Sequence, residues 1–118
     1  MLRPGSTLRL ESRLSPGDIV TCLPVIQEVL QGIREEGPYR NMRETMYSFV
    51  VIESPLTAAV FEEAAGLFRS ARRIGLTVRS SVDCLIAACA LRHNVAILHR
   101  DRDYPLLARV APLKVRSA

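Results

Sequence analysis

The chain has 118 residues, 48% of them hydrophobic and 24% charged, with a formal net charge of +4 and a pI of about 9.4. That length is enough for one domain with a real core and too short for two, and the composition is that of an ordinary globular protein rather than a disordered one. No run of about 18 or more apolar residues is present to span a membrane, and MLRPGSTLRLESRL lacks the apolar core of a secretory signal, so the cytoplasm is the expected location.

Residues 7–14 have the composition for about two turns of helix before Ser15-Pro16-Gly17, a turn by composition. Residues 19–22 are expected to form a short strand. Pro24 then opens a helix through residue 33, with Val25, Ile26, Val29, Leu30 and Ile33 making one apolar stripe. Glu28 lies toward the edge of that stripe, where spacing alone reads it as a solvated helix residue. Residues 35–38 read as a loop, residues 39–47 as a second helix and residues 49–52 as another strand. Thr57 is placed to cap a long helix that continues to residue 73, buries Val60, Ala64, Leu67, Phe68 and Ala71, and stops at Gly75.

Residues 79–103 are the centre of the chain. Ser80 or Ser81 can cap a helix, and the residues that follow, Val82 and then 84–91, are apolar on every side, which makes this a buried helix with Asp83 as its only charge. Asn94 suits its end, and residues 95–98 form a strand apolar throughout, as in a covered parallel sheet. His99-Arg100-Asp101-Arg102-Asp103 leaves that sheet. Pro105 allows a last short helix through residue 110, and residues 113–115 form an edge strand. The alternation of strands and helices gives a three-layer α/β domain with a mostly parallel central sheet and helices on both faces.

Ligands of open α/β sheets bind at the carboxyl ends of the strands, where the chain steps from Leu98 to Asp101. Two carboxylates at 4 Å repel by about 4 kcal/mol at an effective dielectric near 20, a penalty that Mg²⁺ or Mn²⁺ removes by taking hard oxygen ligands. Two readings of the acids stand at this level. Asp83 is either a ligand or an acid favoured by the dipole of a helix's first turn, and RDRD is either part of a site or a solvated charge run. The basic balance is equally divided. It rests almost wholly on arginine, since Lys114 is the one lysine. Arginine suits phosphate and would draw in nucleic acid or an acidic partner, but it also follows from GC-rich codon usage. Cys22, Cys84 and Cys89 form no CxxC pair and read as reduced packing residues.

The segments GDIVTC, PVIQEV and TVRSSVDCLIAACALRHNVAILHRDRDYPLLARV resemble the PIN-domain ribonucleases, specifically the VapC-type toxins of toxin–antitoxin pairs, over nearly the whole chain from Asp18 to about Lys114. The resemblance implies an endoribonuclease that uses Mg²⁺ or Mn²⁺, with Glu28, Asp83 and Asp101 holding the cation and Asp103 as a fourth acid acting through water. Arg79, Arg100 and Arg102 become candidates for gripping the RNA backbone. His99 and His93 keep structural roles, His93 as a base near a helix end. The implied partners are an RNA substrate, a cognate VapB-type antitoxin and a second copy in a homodimer, with no membrane.

PIN domains begin with an apolar strand ending in Asp-Thr or Asp-Ser, which supplies the central strand and the first metal-binding aspartate. MLRPGSTLRLES contains no such segment. The expectation is a single domain over residues 1–118 that lacks the family's first strand and first acid through a misplaced start, gene decay or a function that does without them. The flanking strands would then lack partners, at about 1–3 kcal/mol for each unpaired buried group. An inactive remnant that only binds antitoxin or another copy is the alternative function.

Overall fold

The computed structural model describes residues 7–11, 19–99 and 103–117, with residues 7–11, 99 and 117 described by their backbone. In chain order the elements are β1 (Thr7–Glu11), β2 (Ile19–Cys22), α1 (Leu23–Gln31), α2 (Glu36–Ser48), β3 (Val50–Ile52), α3 (Ala58–Arg73), α4 (Ser81–His93), β4 (Ala96–His99), α5 (Asp103–Leu107) and β5 (Val115–Ser117). The strands form one sheet in the order β3-β2-β1-β4-β5, covered by helices on both faces in a three-layer α/β arrangement. β2 runs parallel to β3 and β4 parallel to β5, while β1 is antiparallel to both β2 and β4. Four strands therefore share one direction and the middle strand opposes them.

That middle strand corrects two expectations. Residues 7–14 do not form a helix; Thr7–Glu11 is extended and pairs on both sides, Leu10 with Val20 and with Ile97, Glu11 with Ile19 and with Ala96. Nor do the flanking strands lack partners there, because β1 lies between them. A helix of two turns is marginal in water whatever its composition, whereas a slot between two strands offers ladder hydrogen bonds on both edges. TLRLE also alternates polar and apolar residues, the two-residue period of a strand.

The reversal has a consequence for chemistry. The carboxyl end of β1, at Glu11, lies beside Ile19 and Ala96, where β2 and β4 begin, and its amino end is at Thr7, opposite His99. The edge where β2 and β4 end, which should hold the site, therefore receives the start of β1.

The core forms between the sheet and its helices. Pro24 occupies the first turn of α1, where its missing N–H costs nothing, and Pro24, Val25, Ile26 and Val29 are buried. α2 starts earlier than expected because Gly37 and Pro38 fall within its first turn, whose N–H groups have no intrahelical acceptor. α3 buries Val60, Ala64, Leu67 and Ala71, with Phe68 half-buried, and Thr57 occupies its N-cap position without a side-chain bond. α4 is buried along most of its length, as its sequence demands, and Asn94 ends it in the left-handed conformation, at φ 53°.

α5 begins two residues before Pro105 and ends at Leu107, and the edge strand is displaced to Val115–Ser117 while Leu113 is buried ahead of it. Arg92 ties the end of α4 to Glu53 (3.0 Å) and Glu63 (2.6 Å), and His93 Nε2 lies 2.8 Å from Glu53 Oε1. The Arg92 guanidinium, with His93 adding to it, holds the Glu53 carboxyl below the usual carboxylate range.

Placing proline at Leu10 removes an N–H from the middle of the sheet. Leu10→Pro should cost at least about 1–3 kcal/mol for each buried acceptor left unpaired, read as a lower urea midpoint. An unchanged midpoint would show that residues 7–11 do not occupy this slot.

Candidate functional site

Asp83 is the third residue of α4 and is only 3% exposed. Its place is set by the cap: Ser80 Oγ accepts the Asp83 backbone N–H at 3.3 Å, and the first turn of the helix lends its positive end to the carboxylate. Asp103 opens α5 and is 1% exposed. Its Oδ2 accepts two backbone N–H groups, from Arg79 and from Ser80, each at 3.1 Å. Tyr104, fully buried, donates its hydroxyl to Asp83 Oδ1 at 2.9 Å. The amino ends of α4 and α5 are thus bound to each other through two acids and a phenol.

The Cys84 thiol reports the same neighbourhood. Burial first, then the charges of Asp83 and Asp103, push it up to about 11. A thiolate there would add a third negative charge to a dry site. Cys22 and Cys89 form a second buried pair, in which the shared hydrogen bond raises the Cys22 thiol and lowers that of Cys89. Glu28 contributes a smaller electrostatic push on Cys22.

The structure therefore joins Asp83 and Asp103, while Glu28 is half-buried on α1. Asp101, Arg100 and Arg102 lie outside the described residues. Arg79 is exposed at the entry to α4. His93 serves the ion pair with Glu53, in keeping with a structural role. Among the described residues, no three His, Cys, Asp or Glu side chains come together to hold a metal ion. The donor chemistry of Asp83 and Asp103 suits a hard divalent cation, but two carboxylates, one with an oxygen engaged by two amides, do not complete a site.

An apolar groove of about 540 Å³ between α3 and α4, lined by Phe61, Phe68, Arg69, Val82 and Leu85 among others, contains no carboxylate and offers no acid for chemistry.

Two contributors were not singled out from sequence. Tyr104 is one: a tyrosine in an apolar context needs a partner for its hydroxyl, and that partner is an acid 21 positions away. The two amides that Asp103 accepts carry no sequence signal at all.

The PIN domain family model matches residues 5–111, and the chain belongs to the PIN-domain family, on its VapC branch. It is similar to the VapC ribonuclease Mb1587 of Mycobacterium bovis and to Ribonuclease VapC11 of Mycobacterium tuberculosis, 38% identical to each over 99 residues, which is 84% of this chain and 73% of the relative. Ribonuclease VapC51 of M. tuberculosis is 29% identical over 108 residues, 92% of this chain and 77% of that protein.

Because the folded Cys84 thiol binds its proton more tightly than the ordinary value near 9 allows, the stability it contributes is whole below about pH 9 and is lost as pH rises toward 11. The melting temperature of the wild type should fall across that window, and Cys84→Ala should flatten the fall. Parallel declines in both would contradict a buried thiol beside two acids.

Proposed function

We propose that the chain is a metal-dependent endoribonuclease toxin held in check by a cognate VapB-type antitoxin. The observation that carries this reading is the buried pair Asp83 and Asp103 in a PIN domain similar to VapC ribonucleases. In the proposal Glu28, Asp83 and Asp101 hold Mg²⁺ or Mn²⁺, with Asp101 completing what the described acids begin. Such a cation, when bound, makes a nucleophile of water and stabilises charge on a scissile phosphate.

The chain's own residues do the rest. Asp83 presents an oriented carboxylate in a dry, low-dielectric setting, where an electrostatic interaction is stronger than in water. Arg79, with Arg100 and Arg102, supplies planar donors suited to the RNA phosphates, and the basic balance of the chain favours encounter with a polyanion. An antitoxin and a second copy of the chain are the proposed protein partners. The proposed site of action is the cytoplasm; among the described residues, no helix is long and apolar enough to cross a membrane.

A binding-only protein is the second reading. It is favoured by the reversed β1, which brings no carboxyl-end acid to the site edge, and by the lack of a three-acid cluster among the described residues.

Cleavage of structured RNA in Mg²⁺ separates the two. Asp83→Asn should retain the wild-type melting behaviour and lose more than about 100-fold in rate, beyond the loss that an outer partner of a metal site causes. Equal cleavage by wild type and variant would refute the nuclease reading. Calorimetry with Mn²⁺ should show specific uptake by the wild type, and its absence would favour the binding-only protein.

A further inference from the structure

We infer that Asp103 and Tyr104 are positioning residues for Asp83: Asp103 holds the turn from which α4 starts, and Tyr104 holds the Asp83 carboxylate itself. The importance given to Asp83 rests on the nuclease reading above, and the assignment differs from the role of a fourth acid acting through water.

The argument starts from backbone accounting. The chain reaches α4 through Arg79 and Ser80, residues outside any helix or strand, whose N–H groups need acceptors as the chain turns into a buried helix. Both N–H groups point at one atom, Asp103 Oδ2, at 3.1 Å each. Ser80 in turn uses its hydroxyl to accept the Asp83 N–H, so the residue that Asp103 grips by its backbone grips Asp83 by its side chain.

Tyr104, adjacent to Asp103 on α5, closes the circuit with its 2.9 Å bond to Asp83 Oδ1. Tyr104 is fully buried and Asp83 3% exposed, so their bond is shielded from water, while the two amide bonds to the 1% exposed Asp103 are partly buried. Two neighbours on one short helix therefore fix the backbone and the side chain of the same acid.

This geometry separates two uses of a carboxylate. One that only accepts peptide N–H groups can be replaced by an amide oxygen of the same shape. One whose negative charge faces a cation or a developing charge cannot.

The test compares wild type, Asp103→Asn, Asp103→Ala and Tyr104→Phe, reading amide hydrogen exchange at Arg79 and Ser80 together with kcat and KM on RNA. Exchange at both amides should be faster by about tenfold or more in Asp103→Ala than in wild type, the ratio that a hydrogen bond to a charged group supports, and intermediate in Asp103→Asn, whose neutral oxygen keeps a weaker bond. Cleavage should follow the same order, with Asp103→Asn rescuing most of what Asp103→Ala loses. Tyr104→Phe should keep the amide protection and the KM for RNA but lower kcat, because only the aim of Asp83 has changed.

Equal loss of cleavage in Asp103→Asn and Asp103→Ala, with the amides better protected in Asp103→Asn than in Asp103→Ala, would show that the charge itself is used and would overturn the assignment. If the wild type cleaves no RNA, the nuclease reading fails by itself and the exchange data decide. Protection lost in Asp103→Ala alone supports the positioning role of Asp103, and protection surviving in Asp103→Ala overturns it. Should Asp103→Ala fail to fold, Asp103→Asn and Tyr104→Phe still decide: wholly unprotected amides in Asp103→Asn, or an unchanged kcat in Tyr104→Phe, contradict the proposal.

Discussion

Thr7–Glu11 hydrogen-bonds to Ile19–Cys22 on one edge and to Ala96–His99 on the other, and the acids of the candidate site are placed by what continues from those two neighbours. α1, with Glu28, follows directly from β2. α5, with Asp103 and Tyr104, follows β4, and β4 is also the strand into which α4 delivers the chain. A middle strand with ladders on both sides is the part of a sheet least exchangeable with water. The two halves, β3-β2 and β4-β5, meet nowhere else in the strand order. Whatever holds β1 in place therefore holds β2, and the α1 that follows it, against β4 and the α5 that follows it.

The direction of that strand decides what reaches the site. In a parallel sheet every strand contributes its carboxyl end to the same edge, which is how several acids far apart in sequence come to share a cleft. Here the middle strand is reversed, so the edge where β2 and β4 end is met by Thr7 rather than by an acid at a strand's carboxyl end. The carboxylates gathered among the described residues come instead from the first turns of two helices, α4 and α5. Helix starts are favourable places for negative charge, because the N–H groups there are unsatisfied and the dipole is positive. That is why two nearly inaccessible acids can be tolerated side by side when both also accept specific hydrogen bonds.

Much of this was legible along the chain. The apolar run around Asp83 reads as a buried helix with Asn94 at its end, and both formed; of the two serines able to cap it, Ser80 does so and Ser81 becomes the first helical residue. The stripe Val25, Ile26, Val29 and the stripe Val60, Ala64, Leu67, Ala71 were likewise buried. Where composition misled, the cause is definite. Gly37-Pro38 looked like a loop, but a helix's first turn tolerates both residues because its N–H groups are unused. The edge strand slid from residues 113–115 to Val115–Ser117 because its register is set by pairing with Ile97, Leu98 and His99, not by its own apolar content.

The sequence by itself determined the buried α4 with an acid in its first turn, the three-layer α/β class and the PIN resemblance, because each of these is written in periodicity, capping and short motifs. Only the tertiary structure decided that residues 7–11 would be an antiparallel middle strand and that Asp103 would give an oxygen to the amides of Arg79 and Ser80. Five residues such as TLRLE have no strong conformational preference of their own, and a hydrogen bond between positions 24 apart depends on the whole sheet being assembled first. Local sequence could place the acids on their elements; the pairing of distant strands determined which of them meet.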